Sequence, residues 1–190
     1  MSQRRLLAIT AAIVVLIAVA AVLFYFFSPA RRQVQTASQA PVIGKAQVGQ
    51  PAPPFEVATT AGLFDLSKTT KPVFLEVFAT WCPHCQREVP TINRLYRRYG
   101  RQVAFVGVSG SNTAMDGSSP ASESDVLEWK QRFGVEYPVA FDPLLNVADL
   151  YLQGGFPTIA IIDRDKRIRY LHSGEVVYNE LATAIAGVLR

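Results

Sequence analysis

The stretch that decides the fold of this 190-residue chain is VFLEVFATWCPHC, residues 73–85. Residues 73–79 form an apolar run that is long enough for a strand buried on both faces of a sheet. Cys82 and Cys85 follow at the point where a helix pattern begins, and this pattern continues to about Tyr99, before Gly100. The stretch therefore predicts a buried strand that leads into a helix, with both cysteines of the chain at the junction.

The Cys-x-x-Cys spacing favours redox chemistry. At a helix start the two sulfurs can meet in a small disulfide ring, and the first lies near unpaired amides that favour its thiolate. Pro83 suits the first helical turn because it lacks an N–H that would be unpaired there. His84 can place positive charge near the Cys82 thiolate.

Two other uses of the cysteines are a zinc half-site and an inert disulfide. Zinc needs about four ligands, and His172 is the only histidine besides His84. A structural bridge across so short a loop would constrain the unfolded chain little. We therefore expect a redox-active dithiol that uses neither a metal nor a cofactor.

The rest of the chain predicts strands that alternate with helices. An N-terminal hairpin is expected at 55–57 and 63–66, and a terminal hairpin at 158–162 and 168–172. Further strands are expected at 103–108 and 139–141, and helices at about 122–134, 145–152 and 178–189. This order indicates an α/β domain with a mixed central sheet flanked by helices.

Residues 78–85 and the following Pro90 resemble the active-site strand and kinked helix of thioredoxins. The segment 156–158, Phe-Pro-Thr, resembles their cis-proline loop, and Gly174 falls where they carry a late glycine. The resemblance covers about residues 49–190 and implies a thioredoxin-like fold.

Within that superfamily the chain is most similar to the membrane-tethered TlpA/ResA-like thiol-disulfide oxidoreductases of the redoxin group. This similarity rests on the apolar N-terminus, on the Pro-Pro-Phe start of the hairpin at 53–55 and on the extra helix–strand segment between Val108 and Asp142. It implies a thioredoxin-like enzyme with an N-terminal hairpin and a central insertion.

The resemblance implies a role for each cysteine. Cys82 would be the attacking thiolate and Cys85 the buried resolving thiol, and protein thiols and disulfides would be the substrates. Pro157, if cis, would present the backbone beside the sulfurs so that a substrate segment can pair with it. An ordinary turn proline is the other interpretation. Trp81 and Phe156 would border the same site.

Two carboxylates are further candidates for the catalytic site. Glu76 lies on the apolar strand, where a buried carboxylate needs a partner or a raised pKa, and it matches the buried acid of thioredoxins that assists proton transfer at the resolving cysteine. A strand end that reaches solvent is its alternative. Glu88 lies on the same helix side as Cys85 and matches a glutamate of ResA-like proteins, or it is a solvated helix charge.

The direction of electron transfer stays open. The TlpA/ResA-like resemblance favours a reductant that acts in cytochrome c or metal-centre assembly, whereas the Pro83-His84 dipeptide is that of oxidising DsbA-like proteins. A peroxiredoxin-like peroxidase is less favoured, because Ala79 stands where that family has a threonine three residues before its cysteine. A non-enzymatic binding domain would not need the two cysteines.

Residues 6–27 are free of charge over 22 positions. As a helix they would extend about 33 Å, enough for a hydrocarbon core of about 30 Å. We expect an uncleaved transmembrane anchor in the lipid bilayer, behind a cytoplasmic head at 1–5 and before a linker at 28–48 and the domain at 49–190. A cleaved signal peptide competes with it, although such segments have apolar cores of only about 7–15 residues.

This anchor predicts a single-pass protein of the inner, cytoplasmic membrane whose catalytic domain faces the periplasm or cell exterior, where a membrane redox partner recycles the dithiol. Residues 1–32 carry four arginines and no acidic residue. The remainder is formally neutral, so the net charge of +4 gives no reason to expect nucleic acid as a partner.

Overall fold

The computed structural model describes residues 16–19 and 45–190. Within 45–190 the strands are β1 Glu56–Thr59, β2 Gly62–Asp65, β3 Val73–Phe78, β4 Ala104–Ser109, β5 Val139–Phe141, β6 Thr158–Ile162 and β7 Ile168–Ser173. The helices are α1 Pro83–Tyr99, α2 Glu123–Arg132, α3 Asn146–Tyr151 and α4 Tyr178–Val188. Every strand and helix expected in this part of the chain is present, with its ends within two residues of the expected position in most cases.

The strands form one mixed sheet in the order β2-β1-β5-β4-β3-β6-β7. The central strand β3 runs parallel to β4 and antiparallel to β6, and β4 runs parallel to β5. The terminal hairpin β6–β7 completes one side. The predicted α/β class, with a mixed central sheet and flanking helices, is confirmed.

The first hairpin is tighter than expected. Its strands reach Thr59 and Gly62, so the connection is shorter than the five residues 58–62. The Thr59 hydroxyl accepts a hydrogen bond from the amide of Ala61 and donates one to the carbonyl of Gly62. Gly62 has φ of +107°, a left-handed backbone conformation that favours glycine. These local contacts extend the pairing into the segment that the sequence assigned to the loop.

Strand β3 is fully buried, and alternate residues face opposite layers. Phe74 and Phe78 pack with residues of α1, α2 and α4, whereas Val73 and Val77 belong to the core that includes α3. Glu76 lies between Phe74 and Phe78 in this alternation. The fold therefore places one carboxylate on the face of the sheet that α1 and its cysteines cover.

The central insertion contains α2 and β5. Strand β5 pairs with β4 on one side and with β1 on the other, so it links the N-terminal hairpin to the rest of the sheet. Ser122 caps α2 by accepting a hydrogen bond from the amide of Asp125. The side chain of Trp129 on α2 stacks on Phe78 with 4.2 Å between ring centroids. This stacking fixes α2 against the strand that leads to the cysteines.

Almost all of the expected anchor at 6–27, the head at 1–5 and most of the linker at 28–48 lie outside the described residues. Among the residues that the structure does describe, none belongs to a helix of sufficient length and apolarity to cross a membrane.

Candidate active site

The two cysteines lie at the start of α1 in unequal environments. Cys82 is the residue before the helix, with extended backbone angles, and Pro83 is at the start of the helix as the sequence predicts. Cys82 is 4% exposed and Cys85 is fully buried. Burial raises the pKa of the Cys85 thiol well above its ordinary value, and the nearby Glu76 carboxylate adds to this effect. Both thiols are buried, but Cys82 retains slight exposure whereas Cys85 has none.

The loop before β6 lies against the first cysteine. The Phe156–Pro157 peptide bond is cis. The thiol of Cys82 donates to the carbonyl oxygen of Phe156, with 3.6 Å between Sγ and the oxygen. The amide of Gly174 donates to the carbonyl of Pro157 at 2.8 Å. Backbone groups of this loop thus lie directly beside the Cys82 sulfur.

Glu76 is fully buried and has one strong partner. The hydroxyl of Tyr137 donates to its Oε2 at 2.6 Å, while Oε1 lacks a hydrogen-bond partner among the described residues. Burial raises the pKa of Glu76 to about 8, against a smaller lowering by the Tyr137 hydrogen bond. Glu76 is thus buried and hydrogen-bonded to a partner, and it does not lie at a strand end that reaches solvent.

Glu88 is also buried, with 3% of its surface exposed, so it is not a solvated helix charge. Its Oε2 accepts a hydrogen bond from the amide of Val176 at 3.1 Å. Burial raises the pKa of Glu88 to about 7, although this hydrogen bond acts in the opposite direction. Glu88 therefore ties the segment after β7 to the first half of α1.

The side chain of His84 lies against Glu175 and Arg87, whereas the sequence predicted that it would lie near the Cys82 thiolate. Its Nδ1 lies 2.5 Å from Oε1 of Glu175 and 2.7 Å from Nη2 of Arg87. Arg87 also donates to Glu175 through Nε at 3.0 Å. Among the described residues the His84 ring makes its hydrogen bonds with this pair rather than with the Cys82 sulfur. No sequence pattern pointed to Glu175, which lies 91 positions from His84.

The loop before Cys82 is held by contacts that sequence reasoning missed. Trp81 Nε1 donates to the hydroxyl of Ser111 at 2.8 Å, and the Trp81 ring meets Phe156 edge-on with centroids 5.9 Å apart. Thr80 Oγ1 donates to Asp125 at 2.7 Å. Ser111 and Asp125 belong to the central insertion, so this insertion fixes the loop in place. The only sequence feature that connected Ser111 and Asp125 with the site was their position in the central insertion.

These contacts bring together the sequence-predicted residues at one end of α1. A thiol beside the cis-proline loop, a fully buried second thiol and a buried carboxyl group of raised pKa are the components needed for exchange through a mixed disulfide. The cis-proline loop adds backbone groups that can pair with an extended chain. Trp81 and Phe156 provide an aromatic border next to the sulfur.

The chain matches the AhpC/TSA family over residues 48–171. It is 32% identical over 143 residues to thiol-disulfide oxidoreductase ResA of Bacillus thuringiensis (strain Al Hakam), covering 72% of this chain and 76% of that protein. Thioredoxin-like protein YneN of Bacillus subtilis (strain 168) is 29% identical over 137 residues, which are 71% of this chain and 76% of YneN.

A crystal structure from Chlorobium tepidum, of a protein proposed to be the thiol:disulfide interchange protein DsbE, has the same fold. It aligns with 77% of this chain and all of its own, at 27% identity and a TM-score of 0.66.

Fold and site together define a thioredoxin-like thiol-disulfide oxidoreductase. This class implies protein thiols and disulfides as substrates. The chain belongs to the AhpC/TSA family, and its relatives of about 30% identity include the thiol-disulfide oxidoreductase ResA and the thioredoxin-like protein YneN. The predicted thioredoxin-like fold and the predicted enzyme class are thus confirmed.

Proposed function

We propose that this chain is an exported, membrane-tethered oxidoreductase that reduces protein disulfides with Cys82 and Cys85. The observation that carries the proposal is the inequality of the two thiols. Cys82 borders the cis-proline loop, whereas Cys85 is fully buried near Glu76, whose pKa of about 8 suits a proton acceptor. The roles of attacking and resolving thiol follow from that inequality.

The reaction has two exchange steps. The Cys82 thiolate attacks one sulfur of a substrate disulfide, which forms a mixed disulfide and releases the other substrate sulfur as a thiolate. Cys85 then gives its proton to Glu76 and attacks the Cys82 sulfur, so that the second substrate sulfur leaves as a thiolate. Two electrons pass from the dithiol to the substrate, and a membrane-bound dithiol partner later reduces the Cys82–Cys85 disulfide.

The contacts of His84 support the reducing direction. A cation beside the Cys82 thiolate would stabilise the reduced dithiol and make the protein more oxidising. The imidazole of His84 instead lies against the Glu175 carboxylate and the Arg87 guanidinium, with its Nδ1 2.5 Å from Oε1 of Glu175. The DsbA-like oxidant stays the alternative, since its dipeptide is present in this chain.

A peroxidase is disfavoured by the contacts of the loop before Cys82. Thr80 is the only threonine in that loop, and its hydroxyl donates to Asp125 at 2.7 Å. Ala79, at the position of the peroxidase threonine, has no hydroxyl. The loop therefore lacks a free hydroxyl to bind a peroxide beside the sulfur.

The membrane tether and the assembly pathway are proposed from the amino-acid sequence. The uncharged residues 6–27 support a single-pass anchor in the cytoplasmic membrane, with the catalytic domain outside the cytoplasm. In that compartment a reductant is needed where thiols must be kept reduced, as for haem attachment to cytochrome c or for metal-centre assembly. We assign the chain to this role.

One set of assays tests the proposal. Full-length protein in detergent should reduce insulin disulfides and show no turnover of hydrogen peroxide, and Cys82→Ser should abolish the insulin activity. The reduction potential of the Cys82/Cys85 pair should lie nearer the −270 mV or so of thioredoxin than the −120 mV or so of DsbA. Peroxide turnover would support the peroxidase, and a potential near that of DsbA would support the oxidant.

A further inference from the structure

The segment that follows β7 is fixed on both sides of Glu175. On one side, Gly174 has φ of +100° and donates its amide hydrogen to the carbonyl of Pro157 at 2.8 Å. On the other side, the amide of Val176 donates to the buried carboxylate of Glu88 at 3.1 Å. The backbone of Glu175 is thus held between the cis-proline loop and helix α1.

The carboxylate of Glu175 contacts both His84 and Arg87 in the first turns of α1. Oε1 lies 2.5 Å from Nδ1 of His84 and accepts a hydrogen bond from Nε of Arg87 at 3.0 Å. These two partners lower the pKa of Glu175 below its ordinary value, with Arg87 contributing most. Glu175 is therefore ionised at neutral pH, and the imidazole faces a fixed negative charge.

We propose that Glu175 is a positioning residue of the redox site, which binds the His84 side chain and holds its imidazole away from the Cys82 thiolate. The thiolate then loses a source of stabilisation, so the disulfide form is favoured and the dithiol becomes a stronger reductant. Glu175 would in this way offset the oxidising tendency of the Pro83-His84 dipeptide. This inference rests on the proposed function, because it concerns the same dithiol.

An isolated ion pair on a protein surface usually contributes little, because water screens it and two side chains lose freedom. Glu175 differs because its backbone is held in place by the hydrogen bonds of its two neighbours, Gly174 and Val176. His84 in turn lies two residues after Cys82, at the start of the same helix. Glu175 therefore holds a side chain in the first turn of the helix that starts at the redox cysteines.

The test measures the equilibrium of the Cys82/Cys85 pair in dithiothreitol redox buffers, with thiol alkylation and mass spectrometry as the readout. Glu175→Gln should shift the equilibrium about tenfold towards the reduced dithiol, which corresponds to about 30 mV for a two-electron couple. His84→Ala alone should have little effect, and in the double variant the Glu175→Gln shift should disappear.

Glu136→Gln is the matched control. The Glu136–Arg97 pair lies at the other end of α1, with side chains 40% and 58% exposed, against 37% and 55% for Glu175 and Arg87. The control makes the same change in charge and removes the same kind of ion pair. It should leave the equilibrium within about twofold of the wild type, because Arg97 is at the last turn of the helix.

Three outcomes would overturn the inference. They are an unchanged equilibrium in Glu175→Gln, an equal shift in Glu136→Gln, and a Glu175→Gln shift that persists without His84. Each of these leaves the proposed function intact, since the pair still exchanges electrons. Failure of the proposed function has a different signature: the wild-type cysteines would form no disulfide in any of the buffers.

Discussion

The phenol of Tyr137 donates a 2.6 Å hydrogen bond to the carboxylate of Glu76, and both side chains are buried. Tyr137 precedes β5, whereas Glu76 lies on β3. The charge of Glu76 acts on the pKa of Cys85 as well as on that of Tyr137. One hydroxyl of the insertion is thus coupled to the proton acceptor proposed for the resolving thiol.

Glu76→Gln should slow the resolution of the mixed disulfide at least tenfold and leave its formation nearly unchanged. The carboxylate can take the Cys85 proton only when it is ionised, so wild-type resolution should speed up as pH rises towards about 8. Glutamine has a similar shape and cannot accept that proton. Stopped-flow measurement of both steps from pH 6 to 9 checks this prediction.

The buried Glu88 offers a comparison for that experiment. Glu88→Gln also removes a buried carboxyl group, but Glu88 binds the amide of Val176 and not Tyr137. It should leave the rate of resolution within about threefold of the wild type. If both steps keep their wild-type rates in Glu76→Gln, Glu76 is only a structural residue.

Tyr137→Phe should move the pH midpoint of resolution upwards by about one unit. The hydrogen bond from Tyr137 favours the ionised form of Glu76, so its removal raises the pKa of that carboxyl further. Tyr151→Phe is the matched control, because the Tyr151 hydroxyl is also buried and donates to the carbonyl of Pro53 at 2.6 Å, in the other core. An equal shift in both variants would contradict a specific role of Tyr137.

The amino-acid sequence was sufficient to predict those parts of the site that depend on local residue patterns. The apolar run before the cysteines predicts a buried strand, and the alternation along it places Glu76 on the same face as Phe74 and Phe78. The burial of Glu76 and its need for a partner follow from that position. The identity of the partner does not, because Tyr137 is 61 residues away and reaches Glu76 only through the order of strands.

The environments of His84 and Glu88 could not be read from spacing along the helix. Spacing places both near the cysteines, but the segment after β7 determines what each side chain meets. Glu175 binds His84, and the amide of Val176 binds Glu88. A glycine with left-handed φ, Gly174, sets the path of this segment. Tertiary contacts of this kind leave no periodic signal in the sequence.

Cys85→Ser should trap mixed disulfides between Cys82 and its substrates. The remaining sulfur can still attack, and no second thiol is present to release the product. Cys82→Ser should trap none, since Cys85 is fully buried and its pKa is raised. Mass spectrometry of the adducts, with iodoacetamide labelling of the reduced wild type at neutral pH, checks both statements. Faster labelling of Cys85 than of Cys82 would reverse the assigned roles.

The full-length protein should stay in the membrane fraction after carbonate extraction. The uncharged residues 6–27 are long enough to span a bilayer, and removal of residues 1–30 should release the protein into the supernatant. External protease should digest the catalytic domain in spheroplasts if it faces outwards. A soluble mature form that begins near Ala30 or Arg31 would show that the segment is a cleaved signal instead.

The buried carboxyl groups predict that the protein becomes less stable as pH rises. The pKa of Glu76 is raised from 4.5 to about 8 and that of Glu88 from 4.5 to about 7. Both groups therefore bind protons more tightly in the folded state, and their stabilisation is complete below pH 4.5 and declines up to about pH 8. At about 1.4 kcal/mol per pH unit, the contribution of Glu76 reaches up to about 5 kcal/mol.

Urea unfolding of the reduced protein at pH 4.5, 6, 7 and 8 measures this decline. In Glu76→Gln the free energy of unfolding should fall less between pH 4.5 and 8 than in the wild type. In Glu88→Gln it should fall less between pH 4.5 and about 7, and the difference from the wild type should be smaller than in Glu76→Gln. Glu128→Gln, at an exposed position on α2, should keep the wild-type slope. A slope that is the same in Glu76→Gln and in the wild type would mean that Glu76 is ionised in the folded protein at neutral pH.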